Sequence, residues 1–219
     1  PSWSVNGFCA SLSCCARMKG FFAVGRASMR PYFGLMPIIL AILVPALTMR
    51  LWAEERRQGT NELLLTMPFS EAELVLGKFL ASMAVVGLAV ALSVPVALMA
   101  SMFGSFDPGP IATEYLGVIL LASASTALGQ MVSSVSRNQM SAFLATAFIL
   151  VAINLSSMAT SWLDLPPLVA GVVNWISLSY HFISFSRGVL DTRDLVYFGL
   201  FTGLFQYLTA RNLAAGRWR

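Results

Sequence analysis

From Pro31 to Met49 the chain runs without a single charged residue. Between Phe79 and Ser136 only Asp107 and Glu114 carry charge, and between Asn138 and Ser186 only Asp164 does. Water does not accommodate runs of this kind unless they are buried, and at about 1.5 Å per residue some 20 residues cross a hydrocarbon core roughly 30 Å thick. Lipid offers no hydrogen bonds, so the segments must satisfy their own backbone groups as helices. With 57% hydrophobic and 11% charged residues in 219, the chain reads as one all-α polytopic transmembrane helical domain covering 1–219.

Clear spans are expected at 32–52, 79–103, 115–135, 140–159 and 195–213, five in all, with Pro37 and Pro45 kinking the first. Residues 1–25 read as a degenerate or truncated first span, apolar only over Phe8 to Ala16 and followed at once by Arg17 and Lys19. The chain begins at Pro1 rather than Met, so an upstream segment is expected to be missing or removed. Within an external segment at 160–194, the 165–186 stretch is apolar but broken by Pro166 and Pro167. It also carries Asn174, His181 and serines, the marks of a periplasmic re-entrant or interfacial helix pair. Tyr32, Trp52, Tyr115, Trp162, Tyr197 and Trp218 are expected as interfacial belt residues.

A net charge of +4 could suggest nucleic acid, but the basic residues flank apolar runs rather than lining one face, which is the pattern of membrane anchoring. With the 53–78 loop in the cytoplasm, Arg50, Arg56, Arg57, Lys78, Arg137, Arg211, Arg217 and Arg219 lie inside and only Arg187 and Arg193 outside. Arg17, Lys19, Arg26 and Arg30 run against that bias. Small residues four apart, Ser125 with Gly129, Gly87 with Ala91 and Gly199 with Gly203, predict close helix approach, within the chain or at a dimer face.

The charge missing from the spans is concentrated at 53–79, AEERRQGTNELLLTMPFSEAELVLGKF, which holds eight of the 24 charged residues. Gly59 suits the left-handed end of a helix continuing from Trp52, and Thr60 suits the cap of a short helix through Glu62, Leu63 and Leu64 that Pro68 ends. Ser70 with Glu73 forms a capping box for the next span, and Phe69 can staple onto Leu74. Glu71 and Glu73 suit that helix's positive end. A short helix tied to two spans, with Leu63, Leu64 and Leu65 beside charges, is suited to transmit force from outside the membrane; a solvated loop obeying the positive-inside bias is the competing reading.

The run MRLWAEERRQGTNELLLTMPFSEAELVLGKF resembles the loop after the second span in permease subunits of ABC-2 type transporters, and in particular the gliding-motility-associated permease branch. SLSYHFISFSRGVLDTRDLVYFGLF at 177–201 and the basic end at Arg217, Trp218 and Arg219 are similar to the same branch, so the likeness covers about 26–219. It implies a cytoplasmic coupling helix that docks on an ABC ATP-binding subunit through Glu54, Glu55, Arg56, Arg57, Gly59, Thr60, Glu62, Leu63 and Leu64. It further implies a second permease subunit, as homodimer or heterodimer, in the lipid of a bacterial inner membrane, with ATP and Mg held by the partner ATPase. The alternative is a non-transporting scaffold or assembly factor that docks the same ATPase.

No catalytic, cofactor or metal residues are expected in this chain. It lacks the Gly-x-x-x-x-Gly-Lys-Ser/Thr phosphate loop and any His-Glu-x-x-His or Cys-x-x-Cys arrangement, and Cys9, Cys14 and Cys15 read as unpaired. His181, beside Tyr180 and Phe182, reads as a packed interfacial residue. Ser123, Ser125, Ser133 or Ser134 with His181 would be the only candidates for an intramembrane hydrolase, and no Gly-x-Ser-x-Gly elbow accompanies them. Gln130 and Asn154 are expected to hydrogen-bond between helices. The spans are read as free of acidic and basic residues that would mark an ion path.

Overall fold

A computed structural model of the chain describes residues 30–59, 70–101, 108–136, 138–162, 167–186 and 188–216. Their elements, in order, are α1 (Arg30–Gly34), α2 (Met36–Gln58), α3 (Glu71–Ser101), α4 (Pro108–Val135), α5 (Gln139–Trp162), α6 (Pro167–Ile176), α7 (Leu178–Ser186) and α8 (Thr192–Gly216). The expected span at 1–25, its cysteines, and the side chains of Trp162 and Trp218 lie outside the described residues.

Four of these helices are long and apolar enough to cross a membrane, over Met36–Glu55, Ala72–Pro95, Gly109–Val135 and Gln139–Ser156. They match the first four expected spans; the chain is a multi-pass membrane protein, and its described elements are all helices. The fifth, expected at 195–213, falls on α8. With 25 residues it has the length, but Gln206, Thr209, Arg211 and Asn212 make it less apolar, and it does not join those four by composition. Gln206 and Thr209 are buried, so part of that polarity faces the bundle. The 165–186 stretch holds α6 and α7, ten and nine residues, broken at Ser177.

α4 forms the axis of the bundle and packs most extensively on α2 and α8, with α3, α5 and α7 completing its surround. Its sequence explains why. Ala122, Ala124, Ser125, Ala127 and Gly129 are all buried, and small side chains let neighbouring backbones come close. A methyl group on Gly129 would stand 2.4 Å from Thr48 Oγ1 of α2, and one on Gly117 would stand 2.7 Å from Phe185 Cβ of α7. The Ser125–Gly129 spacing therefore mediates helix contact as expected. Gly87, Gly199 and Gly203 have open space around them, so the other two spacings bring no helices together among the described residues.

The apolar core runs through Phe33, Leu40, Val44, Val118, Leu121, Leu128, Phe182 and Phe198. Leu80, Leu88, Leu92, Leu144, Phe148 and Leu200 point outward, the surface that lipid rather than water tolerates. Pro37 opens α2 instead of bending it, because the first turn needs no N–H donor from that residue, whereas Pro45 lies inside the helix. Trp52 also departs from expectation. It is fully buried against Val75 and Leu213, so it belongs to the core and not to an interfacial belt.

Candidate functional site

The helices on either side of the charged stretch run further into it than the hydropathy alone indicates. α2 continues to Gln58 and stops at Gly59, whose φ of 71° is the left-handed conformation that only glycine adopts cheaply. α3 begins at Glu71 under the expected capping box: the Ser70 N–H donates to Glu73 Oε2 at 3.0 Å, and the Glu73 N–H donates to Ser70 Oγ at 3.3 Å. The connection between these two fixed ends is therefore only 59–70. Thr60, Glu62, Leu63 and Leu64, with the short helix and the Phe69 staple expected around them, lie outside the described residues.

Lys78 closes the base of this connection. Its ammonium forms a salt bridge to the Glu55 carboxylate of α2, donates to the Leu51 carbonyl at 2.6 Å, and sits 3.7 Å from the centre of the Trp52 ring. Both charged side chains are mostly withdrawn from solvent, at 17% and 25% exposure, which makes the pair less screened and more geometrically defined than a surface ion pair. Glu54 accepts a bond from Gln58 Nε2 at 2.7 Å one turn away, and Arg57 is exposed. Of the nine residues assigned to docking, Glu55 is thus engaged within the chain, while Glu54, Arg57 and Gly59 stand near the rim.

A buried polar network carries the clamp into the bundle. Ser133 Oγ of α4 lies 3.3 Å from the Trp52 and Ala53 amides and from the Met49 carbonyl at the last turns of α2. Gln130 Nε2 donates to the Val75 carbonyl of α3 at 3.0 Å, and its Oε1 accepts from Gln206 Nε2 of α8 at 3.1 Å. Asn212 Nδ2 donates to Ser134 Oγ at 3.0 Å. The ends of α2, α4 and α8 and the start of α3 are therefore tied together by side-chain hydrogen bonds. Gln130 bonds between helices as expected, and so does Asn154, whose Oδ1 accepts from Ser179 Oγ of α7 at 2.7 Å.

The opposite end holds a second buried cluster. His181 Nδ1 and Asp194 Oδ1 share a hydrogen across 2.6 Å, His181 Nε2 donates to the Trp175 carbonyl at 3.2 Å, and the imidazole stacks on Tyr197 at 3.9 Å between centroids. Both ring nitrogens are thus occupied, and Ser123, Ser125, Ser133 and Ser134 each donate to a main-chain carbonyl of their own or a neighbouring helix. His181 is a core residue that joins α7 to α8. Asp194 was missed because a lone His gives no signal for a partner 13 residues on.

One expectation is overturned here. Glu114 lies within the span Gly109–Val135, only 2% exposed, and accepts a bond from Ser186 Oγ at 3.2 Å. The span expected from 115 puts it just outside, but Pro108 starts α4 earlier and draws it inside. Among the described residues no group of three or more His, Cys, Asp or Glu could hold a metal ion.

Residues 11–205 match the family model described as ABC-2 family transporter protein. The chain belongs to this family. No curated protein and no solved structure matches it. The ABC-2 match takes in the whole of α1 to α7, the start of α8 and the elbow between α2 and α3, so the clamp described above is a feature of the family-matched part of the chain.

Proposed function

We propose that this ABC-2 family chain is the membrane-spanning permease subunit of an ATP-driven transporter, in which segment 53–78 faces the cytoplasm and docks a separate ABC ATP-binding subunit. Two such permeases, identical or different, form the membrane unit in a bacterial inner membrane, and the gliding-motility-associated branch is the subgroup its motifs favour. ATP and Mg belong to the partner. The observation that carries this reading is the Glu55–Lys78 clamp beneath Gly59 and the Ser70–Glu73 box. A loop serving only to join two spans needs no such bracing at its base, whereas a segment that receives a push must not slide relative to the helices it drives.

ATP can move the permease only by being bound with different affinity in two states of the assembly, and the difference reaches the membrane only through a stiff connection. The Ser133, Gln130 and Asn212 bonds extend that connection from the elbow into α4 and α8. The docking contact itself is assigned to Arg57, Glu62, Leu63 and Leu64. Replacing Leu63 and Leu64 with Ala is expected to abolish co-purification of the ATP-binding subunit while the permease still inserts; recovery of that subunit at wild-type yield overturns the assignment.

A further inference from the structure

On the far side of the bundle from the elbow, a groove of about 610 Å³ runs along the outer face of α8 beside α6. Trp175 and Tyr197 form its wall, Val196, Leu200 and Leu204 its floor, and Arg193 stands at its mouth. We propose that this groove binds a phospholipid with an anionic headgroup, the net negative headgroup on Arg193 and one acyl chain along α8.

Three observations commit the groove to that occupant. The Arg193 guanidinium has no hydrogen-bond or ion-pair partner among the described residues. The nearby Asp191 carboxylate accepts the Arg193 main-chain N–H at 3.1 Å, and Asp194 is engaged by His181. The mouth therefore offers a cation that no described residue pairs, at the first turn of a helix, where negative charge is favoured. The length also fits: from Arg193 to Leu204 the helix rises about 16 Å, close to the half-thickness of a hydrocarbon core roughly 30 Å deep, the reach of a chain from one leaflet. Finally, the wall is built before any ligand arrives. Trp175 meets Tyr197 edge-on at 6.2 Å, and Tyr197 is fixed by its hydroxyl to the Ile176 carbonyl at 2.8 Å and by its stack on His181. Leu200 and Trp175, 70% and 65% exposed, are covered by no helix among the described residues and are open to that chain.

The proposal needs only that α8 lies in lipid and does not depend on ATP coupling. Native mass spectrometry of the full chain in mild detergent, titrated with phosphatidylglycerol or phosphatidylcholine, tests it. Wild type is expected to retain phosphatidylglycerol preferentially. Arg193→Ala or Arg193→Gln should weaken that retention about fivefold, the effect of one basic residue at a membrane surface. Leu200→Trp should weaken both lipids alike. Both positions are exposed, so the variants keep the fold. Equal retention of the two lipids by wild type, or unchanged phosphatidylglycerol binding after Arg193 is replaced, overturns the proposal. So does a cross-link in membranes from Leu200→Cys to residues 1–29 or to a second copy.

Discussion

Replacing Lys78 with Met isolates the clamp, because the new side chain keeps the apolar stem and removes only the charge and its hydrogens. Three interactions end together: the Glu55 salt bridge, the bond to the Leu51 carbonyl and the contact with the Trp52 ring. A hydrogen bond to a charged group contributes about 1.5–3 kcal/mol. An exposed ion pair adds about 0–1 kcal/mol, and breaking a fully buried one costs about 3–5 kcal/mol. At 17% and 25% exposure the pair lies between these limits. The expected loss is about 2–3 kcal/mol, or roughly thirty- to a hundred-and-fiftyfold in the folding equilibrium. Titration from mild detergent into SDS measures it. Hydrogen exchange across 53–58 should accelerate in parallel, since the last turn of α2 loses its tie to α3. Adding Glu55→Gln to Lys78→Met should cost about 1–2 kcal/mol less than Glu55→Gln alone, because the Lys78 ammonium is no longer there for the carboxylate to lose. Wild-type stability in Lys78→Met, or a double-mutant coupling within about 0.5 kcal/mol of zero, refutes the bracing argument.

The axis and the far cluster give two further tests. Gly129→Ala places a methyl 2.4 Å from Thr48 Oγ1, whose hydroxyl is already bonded to the Val44 carbonyl at 3.0 Å, so either the Thr48 side chain gives up that bond or α2 and α4 move apart. The expected destabilisation is about 1–3 kcal/mol, with most of it recovered by adding Thr48→Ala, as read by the same unfolding titration. His181→Phe strands the Asp194 carboxyl, whose Oδ2 is already buried without a hydrogen-bond partner among the described residues. It should cost about 3–5 kcal/mol, while His181→Phe with Asp194→Leu should return to near wild type in a thermal melt.

Four of the five expected spans were legible because lipid imposes length and apolarity on a helix, whereas the buried polar residues of α8 compete with those demands. The two ends of the elbow were legible for another reason: Gly59 and the Ser70–Glu73 box act locally, within one turn, so spacing in the chain is spacing in space. What escaped was the identity of most partners joined over distance. Lys78 reads as a basic residue flanking a span, and only the antiparallel return of α3 sets it beside Glu55, 23 residues earlier. Trp52 reads as an interfacial aromatic until α8 brings Leu213 over it. Glu114 was misplaced because the mean hydropathy of a span says nothing about where its helix begins. Gly199 and Gly203 share the spacing of Ser125 and Gly129, yet only Gly129 meets a neighbour, so spacing states that a helix can approach closely and not whether one does.

Placing a photo-cross-linking residue at position 64 in the native membrane tests the coupling assignment most directly. The account predicts a product, identified by mass spectrometry, that joins this chain to a nucleotide-binding subunit, with lower yield when Lys78→Met loosens the base of the segment. Cross-links formed only with lipid or with a protein of the opposite membrane face contradict it.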